Sequence, residues 1–94
     1  MRIGIPKESL TWETRVACTP STVAQLQKLG FEVMVEHDAG AGASIHDKSY
    51  ATAGAQIGDA AEVWASPLIY KVNAPTEAEL SLLSAGQTLV SFLW

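Results

Sequence analysis

Short apolar runs alternate along this chain with segments in which apolar side chains recur at helical spacing. The runs are rich in Val, Ile, Leu and Phe, a composition that favours β-strands. They lie at 1–5, 31–36, 68–72 and 88–93, with a brief extended piece at 55–57. The helical segments lie between them, at 20–29, 48–53, about 60–65 and 77–83. The pattern therefore predicts helices placed between successive strands.

Capping residues support the boundaries of the first three helices. Thr19 and Pro20 are a typical N-cap and first helical residue, and Gly30 is a typical helix stop. Asp47 and Asp59 stand directly before the next two helical segments. Because an aspartate side chain can accept hydrogen bonds from the first free backbone N–H groups, both residues are predicted to be N-caps.

The last helix is indicated by its capping residues and the last strand by its apolar run. Thr76 and Glu79 have the spacing of a capping box, and Leu80 and Leu83 are predicted to pack inward from the helix that follows. The run at 88–93 is apolar enough for a buried strand. A buried strand should be followed by a connection back over the sheet, so we expect the chain to be part of a larger protein.

The order of elements predicts the fold class. A strand, a helix and a second strand occupy about 35 residues, the size of a βαβ unit, which requires parallel strands and a right-handed crossover. The run at 68–72 is continuously apolar except for Lys71, as expected for a strand covered on both faces. The sequence therefore predicts an α/β domain with an open, mostly parallel sheet and flanking helices. At 94 residues it is a single domain.

Composition excludes several classes of function. The chain is 48% apolar and 17% charged, with a net charge of −4 and no basic run, which excludes nucleic acid and anionic membranes as favoured partners. Cys18 is the only cysteine, so there is no internal disulfide and a reducing compartment is indicated. No apolar run approaches the roughly 20 residues of a membrane span. We therefore expect a soluble, cytoplasmic piece without direct membrane contact.

Motifs for metal, nucleotide and triad chemistry are weak. His37 and His46 lie nine residues apart with no further ligand at zinc spacing, so no metal site is predicted. The small-residue turn at 39–43 contains two glycines, but the third position of a dinucleotide fingerprint is Ile45, and a flexible turn is expected. No serine is spaced from a histidine as in a catalytic triad, so no catalytic residue is predicted. Trp12 is expected to pack as a lid on its own domain.

Two cations are the candidate binding residues. Arg15 precedes the first helix and Lys71 ends a strand, which places both near the carboxyl edge of the sheet, where ligands of α/β folds bind. A guanidinium and an ammonium group together suit a carboxylate. The alternative is that each cation pairs within the protein, with Glu13 or Glu8. The residues alone leave both interpretations open.

Several motifs together resemble the alanine dehydrogenase and pyridine nucleotide transhydrogenase family. They occur in the family's order and spacing over essentially the whole chain: Met-Arg-Ile-Gly-Ile-Pro-Lys-Glu at 1–8, Glu-Thr-Arg-Val-Ala at 13–17 with Thr-Pro at 19–20, the turn at 39–43, Tyr50 with Ala-Gly-Ala at 53–55, and Lys-Val-Asn-Ala-Pro at 71–75. The family's alanine dehydrogenases hold pyruvate with an arginine and a lysine that match Arg15 and Lys71, and use a histidine after the next strand. Trp94 stands at that position, and an indole cannot exchange a proton near neutral pH.

The departure at Trp94 makes the chain more similar to the transhydrogenase branch of this family, the alpha subunits of proton-translocating NAD(P) transhydrogenases. That resemblance implies hydride transfer from NADH to NADP on a beta subunit, coupled to proton translocation, at the cytoplasmic face of the plasma membrane. It implies that 1–94 is most of the N-terminal α/β domain of a two-domain NAD-binding subunit that pairs with a second alpha subunit.

In that branch the dinucleotide-binding domain and the membrane segments would lie beyond 1–94. This piece by itself is then expected to bind no NAD(H) or NADP(H) and to be inactive, with Arg15 and Lys71 as inherited positions in the cleft. Two alternatives remain. One is the N-terminal domain of an alanine dehydrogenase, and the other is a free-standing α/β module that binds small carboxylates through the two cations.

Overall fold

The computed structural model describes residues 1–10 and 13–91, which form one parallel β-sheet with helices on both faces. Its strands are β1 (Arg2–Ile5), β2 (Glu32–Glu36), β3 (Gln56–Gly58), β4 (Leu68–Tyr70) and β5 (Thr88–Val90). Its helices are α1 (Pro20–Lys28), α2 (Asp47–Thr52), α3 (Ala60–Trp64) and α4 (Glu77–Leu80), with a 3-10 turn at Ala41–Ala43. The predicted α/β class is confirmed, and the extended piece at 55–57 is a strand of the sheet.

The strand order places a topological switch point in the middle of the sheet. Within the described residues the order is β3-β2-β1-β4-β5, and every pair is parallel. The chain moves outward from β1 to β3 on one side, then crosses back to β4 and β5 on the other. Loops leaving β1 and β4 therefore diverge at their carboxyl ends, which is the geometry that opens a crevice in α/β folds.

Alternation along the central strands gives each sheet face its own helices. Ile3 and Ile5 of β1 join a core with Val23 of α1 and Tyr50 of α2. Gly4 faces the other side, where a Cβ atom would collide with the backbone carbonyl of Val63 in α3. Successive residues of a strand point to opposite faces, so α1 and α2 cover one face and α3 covers the other.

Several predicted helix boundaries are confirmed at their caps. The Thr19 side chain accepts a hydrogen bond from the backbone N–H of Thr22 at 3.3 Å, and Gly30 follows α1 with a φ of 95°. Asp59 forms a capping box with Glu62 at the start of α3. The capping box predicted from Thr76 and Glu79 is also present. These contacts are local in sequence, which is why spacing alone predicted them.

The prediction that Asp47 caps α2 is wrong. His46 is the N-cap residue and Asp47 is the first helical residue. The Asp47 carboxylate instead accepts a hydrogen bond from the backbone N–H of Asp38 at 3.0 Å and contacts Nδ1 of His37. It therefore joins α2 to the turn after β2, which is a tertiary contact that helix patterns do not reveal.

The region after β4 differs from the prediction at three places. β4 ends at Tyr70, because the backbone N–H groups of Val72 and Asn73 donate to a side chain and leave the ladder. α4 ends at Leu80 and not at residue 83, because the N–H groups of Leu82 and Leu83 bond to carbonyls three residues back instead of four, and Leu80 is exposed. In the described part of the sheet β5 is an edge strand with an exposed Val90, and not the fully buried strand expected. Trp12, Trp94 and the end of the predicted strand at 92–93 lie outside the described residues.

Candidate functional site: a buried ionic cluster beside a cleft

The loops leaving β1 and β4 are tied together by the carboxylate of Glu8. Its oxygens accept hydrogen bonds from the backbone N–H groups of Val72 at 2.8 Å and Asn73 at 3.0 Å. The Lys71 ammonium donates to the same carboxylate at 3.0 Å. Glu8 is 7% exposed, so these bonds form away from bulk water. One buried side chain therefore joins the two loops at the switch point.

Lys71 is almost fully buried, with 1% of its surface exposed. Besides Glu8, its Nζ donates to the backbone carbonyl of Asn73 at 2.7 Å and lies 3.7 Å from Oε1 of Glu79 at the start of α4. A buried ammonium group requires an anionic partner to offset its lost hydration, and two carboxylates supply it here. Lys71 thus links the loop after β1, the loop after β4 and α4.

Asn73 extends the cluster to the second predicted cation. Its side-chain Nδ2 donates to Oε1 of Glu13 at 2.8 Å and to Oε1 of Glu8 at 3.3 Å. Glu13 in turn accepts bonds from Nε and Nη2 of Arg15, at 2.9 and 2.8 Å. This two-pronged geometry is the strongest that an arginine and a carboxylate form. A continuous chain of contacts therefore runs from Lys71 to Arg15.

The pair of Glu13 and Arg15 stabilises the charged form of both groups. Hydrogen bonds from the Arg15 side chain and backbone, with a further bond from Asn73, lower the pKa of Glu13 to about 2. The same hydrogen bonding raises the pKa of Arg15 above its ordinary value. The Glu13 side chain is only 2% exposed, whereas half of the Arg15 side chain is exposed. Arg15 is therefore the more accessible member of this pair.

A cleft of about 350 Å³ opens beside Arg15. Its walls are the loop after β1 and the turn after β2: Lys7, Glu8, Ser9, Leu10, Glu13, Thr14, Arg15, Asp38, Ala39, Ala41 and Gly42. The volume is at the lower end of the range for small-molecule sites. Lys71 is not among the lining residues, because Glu8 stands between its ammonium group and the cleft.

The structure therefore places the two predicted cations differently. Arg15 lines the cleft and pairs with Glu13, while Lys71 lies in the interior and pairs with Glu8. These are the two pairings that the sequence offered as the alternative to a carboxylate site. Sequence reasoning missed the role of Asn73. The available signal was an amide side chain directly after the strand predicted at 68–72, at the same sheet edge as Glu8.

The small-residue turn at 39–43 is a packed turn and does not form a dinucleotide cradle. A Cβ atom on Gly40 would lie 2.8 Å from side-chain atoms of Ile45 and Tyr50, and one on Gly42 would lie 3.0 Å from Cα of Thr14. The glycines thus allow close approach of protein to protein. A pyrophosphate site needs that space and a helix opening directly behind the glycines, so the residues of this turn do not fit NAD.

Other reactive groups in the described chain have structural partners. Cys18 is 1% exposed, and burial raises the pKa of its thiol to about 11. The Tyr50 hydroxyl donates to the Cys18 carbonyl at 2.6 Å, and burial raises the pKa of Tyr50 to about 12. Neither group is suited to proton transfer near neutral pH.

Among the described residues, one group brings three ligand atoms of metal-binding type within 4.8 Å of one another. It consists of His37, Asp38 and Asp47. All three already take part in the contacts that close the turn after β2 onto α2. His46, the second histidine considered from sequence, is not part of the group.

Within the described residues, none of the helices has both the length and the apolar character needed to cross a bilayer. The longest, α1, has nine residues. A spanning helix needs about 20.

Comparison with known proteins gives the family. Residues 4–94 match the family described as alanine dehydrogenase/PNT, N-terminal domain. The NAD(P) transhydrogenase subunit alpha of Haemophilus influenzae is 55% identical over 94 residues, which is all of this chain and 18% of that protein. The alanine dehydrogenase of Mycobacterium tuberculosis H37Rv is 46% identical over 95 residues, covering 99% of this chain and 26% of the enzyme.

Solved structures give the same result. The transhydrogenase from Sinorhizobium meliloti superposes with a TM-score of 0.95 at 38% identity, covering 99% of this chain and 28% of that one. An L-alanine dehydrogenase superposes with a TM-score of 0.94 at 39% identity, covering 98% and 26%. The chain thus spans about a fifth to a quarter of the length of these relatives. Because the match extends over nearly every residue, this chain belongs to the alanine dehydrogenase/PNT family, as an N-terminal domain of it.

Proposed function

We propose that this chain is the N-terminal domain of an NAD(P) transhydrogenase alpha subunit. The observation that carries the proposal is the 55% identity with the Haemophilus influenzae subunit over all 94 residues. The alanine dehydrogenase of Mycobacterium tuberculosis is 46% identical and the transhydrogenase alpha subunit of Cereibacter sphaeroides is 44% identical, so identity at that level does not separate the two branches. The two solved structures do not discriminate, since their TM-scores are 0.95 and 0.94. Trp94, where an alanine dehydrogenase has its histidine, supports the same branch.

In this proposal the parent enzyme transfers a hydride from NADH to NADP held by a beta subunit, and couples the transfer to proton translocation. Residues 1–94 are most of the first of two α/β domains, and the dinucleotide-binding domain and the membrane segments belong to the rest of the polypeptide. The domain works at the cytoplasmic face of the membrane, next to a second alpha subunit. Its contribution is a rigid wall at the carboxyl edge of the sheet, held by Glu8, Lys71 and Asn73.

The parent gene product tests this assignment. Membranes from cells that express it with its beta subunit should reduce a thio analogue of NADP with NADH. An uncoupler that abolishes the proton gradient should change that rate. Membranes that lack this reaction while the extract oxidises L-alanine with NAD would identify an alanine dehydrogenase, the second candidate that 46% identity supports.

The 94-residue chain itself is proposed to bind neither NADH nor NADP and to be inactive. The packed turn at 39–43 supports this, because its glycines contact protein and leave no pyrophosphate cradle. Calorimetry of the isolated chain with NADH should give no heat of binding. A micromolar dissociation constant would show that the cofactor site lies within these residues after all.

We further propose that Arg15 and Lys71 give the cleft an affinity for small carboxylates, in unequal ways. Arg15 lines the cleft with a half-exposed side chain, and Lys71 acts indirectly by neutralising the charge of Glu8, which also lines the cleft. Millimolar pyruvate should then raise the melting temperature, and both Arg15→Gln and Lys71→Ala should abolish that rise. Lys48→Ala, which removes an exposed lysine of α2 away from the cleft, should leave it unchanged. No rise in the unsubstituted chain would refute this part of the proposal.

A further inference from the structure

Asn73 occupies the central position in the ionic cluster. It lies in the loop after β4, is 3% exposed, and uses its backbone and side chain in the same network. Its backbone N–H and carbonyl bind Glu8 and Lys71, at 3.0 and 2.7 Å. Its side-chain nitrogen binds Glu13 at 2.8 Å and Glu8 at 3.3 Å. The residue therefore has two separable roles, one made by its main chain and one by its amide.

The amide lies between two carboxylates. An Asn side chain offers two N–H donors on one nitrogen, and here it contacts Oε1 of Glu8 and Oε1 of Glu13. Glu8 is already balanced by Lys71 and Glu13 by Arg15, so a neutral donor joins the two ion pairs without adding charge. An apolar side chain would leave both oxygens without this donor, and an acidic one would place a third carboxylate beside them.

The path to the cleft runs through Glu13. Its Oε1 accepts both from Asn73 and from Nη2 of Arg15, at 2.8 Å each. The Glu13 side chain is 2% exposed and its position is therefore set by protein contacts. Moving that carboxylate moves the fork that holds the guanidinium, because a two-pronged pair fixes both planes together.

We propose that Asn73 is a positioning residue, whose side-chain amide holds Glu13 and through it orients Arg15 in the cleft. It touches no ligand in this role. The expected effect on ligand binding rests on the proposed carboxylate affinity of Arg15. The effect on the orientation of Glu13 and Arg15 is independent of that proposed affinity.

The test uses substitutions that separate the amide from the backbone. Asn73→Ala removes the side-chain bonds to Glu8 and Glu13 but keeps the backbone bonds to Glu8 and Lys71. Asn73→Asp keeps the shape and places a negative charge beside Glu13. Gln87→Ala is the control, because the side-chain nitrogen of Gln87 also donates two hydrogen bonds, both partly buried, to the backbone carbonyls of Trp64 and Ser66. Gln87 stands just before β5, at the amino edge of the sheet and away from the ionic cluster.

Carboxyl NMR of Glu13 and the Nε–H signal of Arg15 give the decisive readout in the 94-residue chain. The pKa of Glu13 should lie near 2 without substitution. It should rise by about half a pH unit or more in Asn73→Ala and further in Asn73→Asp, with faster exchange of the Arg15 Nε–H. Gln87→Ala should change neither. An unsubstituted Glu13 that titrates near its ordinary value, or an Asn73→Ala titration identical to that of the unsubstituted chain, would overturn the proposal.

Pyruvate binding measured by calorimetry supplies the functional arm. Asn73→Ala should weaken pyruvate binding about tenfold, the effect expected from the loss of one charge-assisted hydrogen bond that orients Arg15. Gln87→Ala should leave the affinity unchanged. If the unsubstituted chain fails to bind pyruvate but the NMR shifts occur, the carboxylate affinity fails and the positioning role of Asn73 stands. If pyruvate binds and Asn73→Ala leaves both affinity and titration unchanged, the positioning role fails alone.

Discussion

Removing the carboxylate of Glu8 should destabilise this fold more than removing the ammonium group of Lys71, although the two form one ion pair. The Nζ to Oε1 distance is 3.0 Å, and both side chains are at least 98% buried. The asymmetry follows from their other partners. Glu8 also accepts hydrogen bonds from the backbone N–H groups of Val72 and Asn73. Among the described residues, the further partners of Lys71 are one backbone carbonyl and the more distant Glu79.

The magnitudes follow from what each substitution leaves behind. Glu8→Ala leaves a buried ammonium group without its close counter-ion and two backbone N–H groups without an acceptor. A broken buried pair costs about 3–5 kcal/mol. Lys71→Met leaves a carboxylate that keeps its N–H donors, and the Met side chain replaces the apolar stem of the lysine. Its cost should be about 1.5–3 kcal/mol, the value of a hydrogen bond to a charged group. A domain of this size has on the order of 5–15 kcal/mol of stability in total.

Urea unfolding followed by tryptophan fluorescence measures these values, with the buried Trp64 as a reporter. The two single variants and the double variant form a cycle, and the coupling between Glu8 and Lys71 should be about 1–3 kcal/mol. Lys48→Met controls for loss of a lysine at an exposed position of α2. A Lys71→Met cost equal to or above that of Glu8→Ala, or additive effects in the double variant, would refute the reasoning.

Three further predictions concern packing, acid stability and thiol reactivity. Gly4→Ala should cost about 1–3 kcal/mol in urea unfolding, because the new Cβ meets the backbone of α3, whereas Gly58→Ala meets a flexible thioether at 2.8 Å and should cost less; equal costs would contradict the rigid contact. The low pKa of Glu13, about 2, contributes to the free energy of unfolding; this contribution is complete above the ordinary pKa of 4.5 and is lost as the pH falls towards 2. Arg15→Gln should therefore make the free energy of unfolding depend less on pH between 4.5 and 2, and an unchanged pH dependence would argue against this reasoning. Cys18, with a pKa of about 11, should react with a thiol reagent at pH 8 more than tenfold faster in urea than in buffer; comparable rates would show that the thiol is accessible in the fold.

Much of the local structure could be predicted from the sequence, because the forces that specify it act within a few residues. The Thr19 cap, the Gly30 stop and the capping box of Thr76 and Glu79 all depend on side chains that reach backbone groups three residues away. The alternation of strands and helices likewise predicted a parallel α/β sheet. The predicted helix extended beyond the observed end of α4. Leu80 has the spacing of an inward-facing helical residue, but it is exposed and no described residue covers it.

For the candidate site, the sequence predicted which residues take part but not how they are arranged. The positions of Arg15 and Lys71 in the sequence predicted that both lie at the same sheet edge, with Glu13 and Glu8 as possible partners. The sequence did not show whether each cation pairs with a glutamate or binds a ligand. Glu8 and Lys71 are 63 residues apart in the chain, and the strand order that places β1 next to β4 brings them together.

What the sequence determined by itself is therefore the set of elements, the fold class and the family resemblance, since these depend on local periodicity and on short motifs. Only the tertiary structure decided that the lysine of Lys-Val-Asn-Ala-Pro lies inside, that its neighbour Asn73 joins two carboxylates, and that Arg15 alone of the two cations lines the cleft. The physical reason is burial: the chemistry of an ionic group depends on which partners share its dry environment, and those partners come from distant parts of the chain.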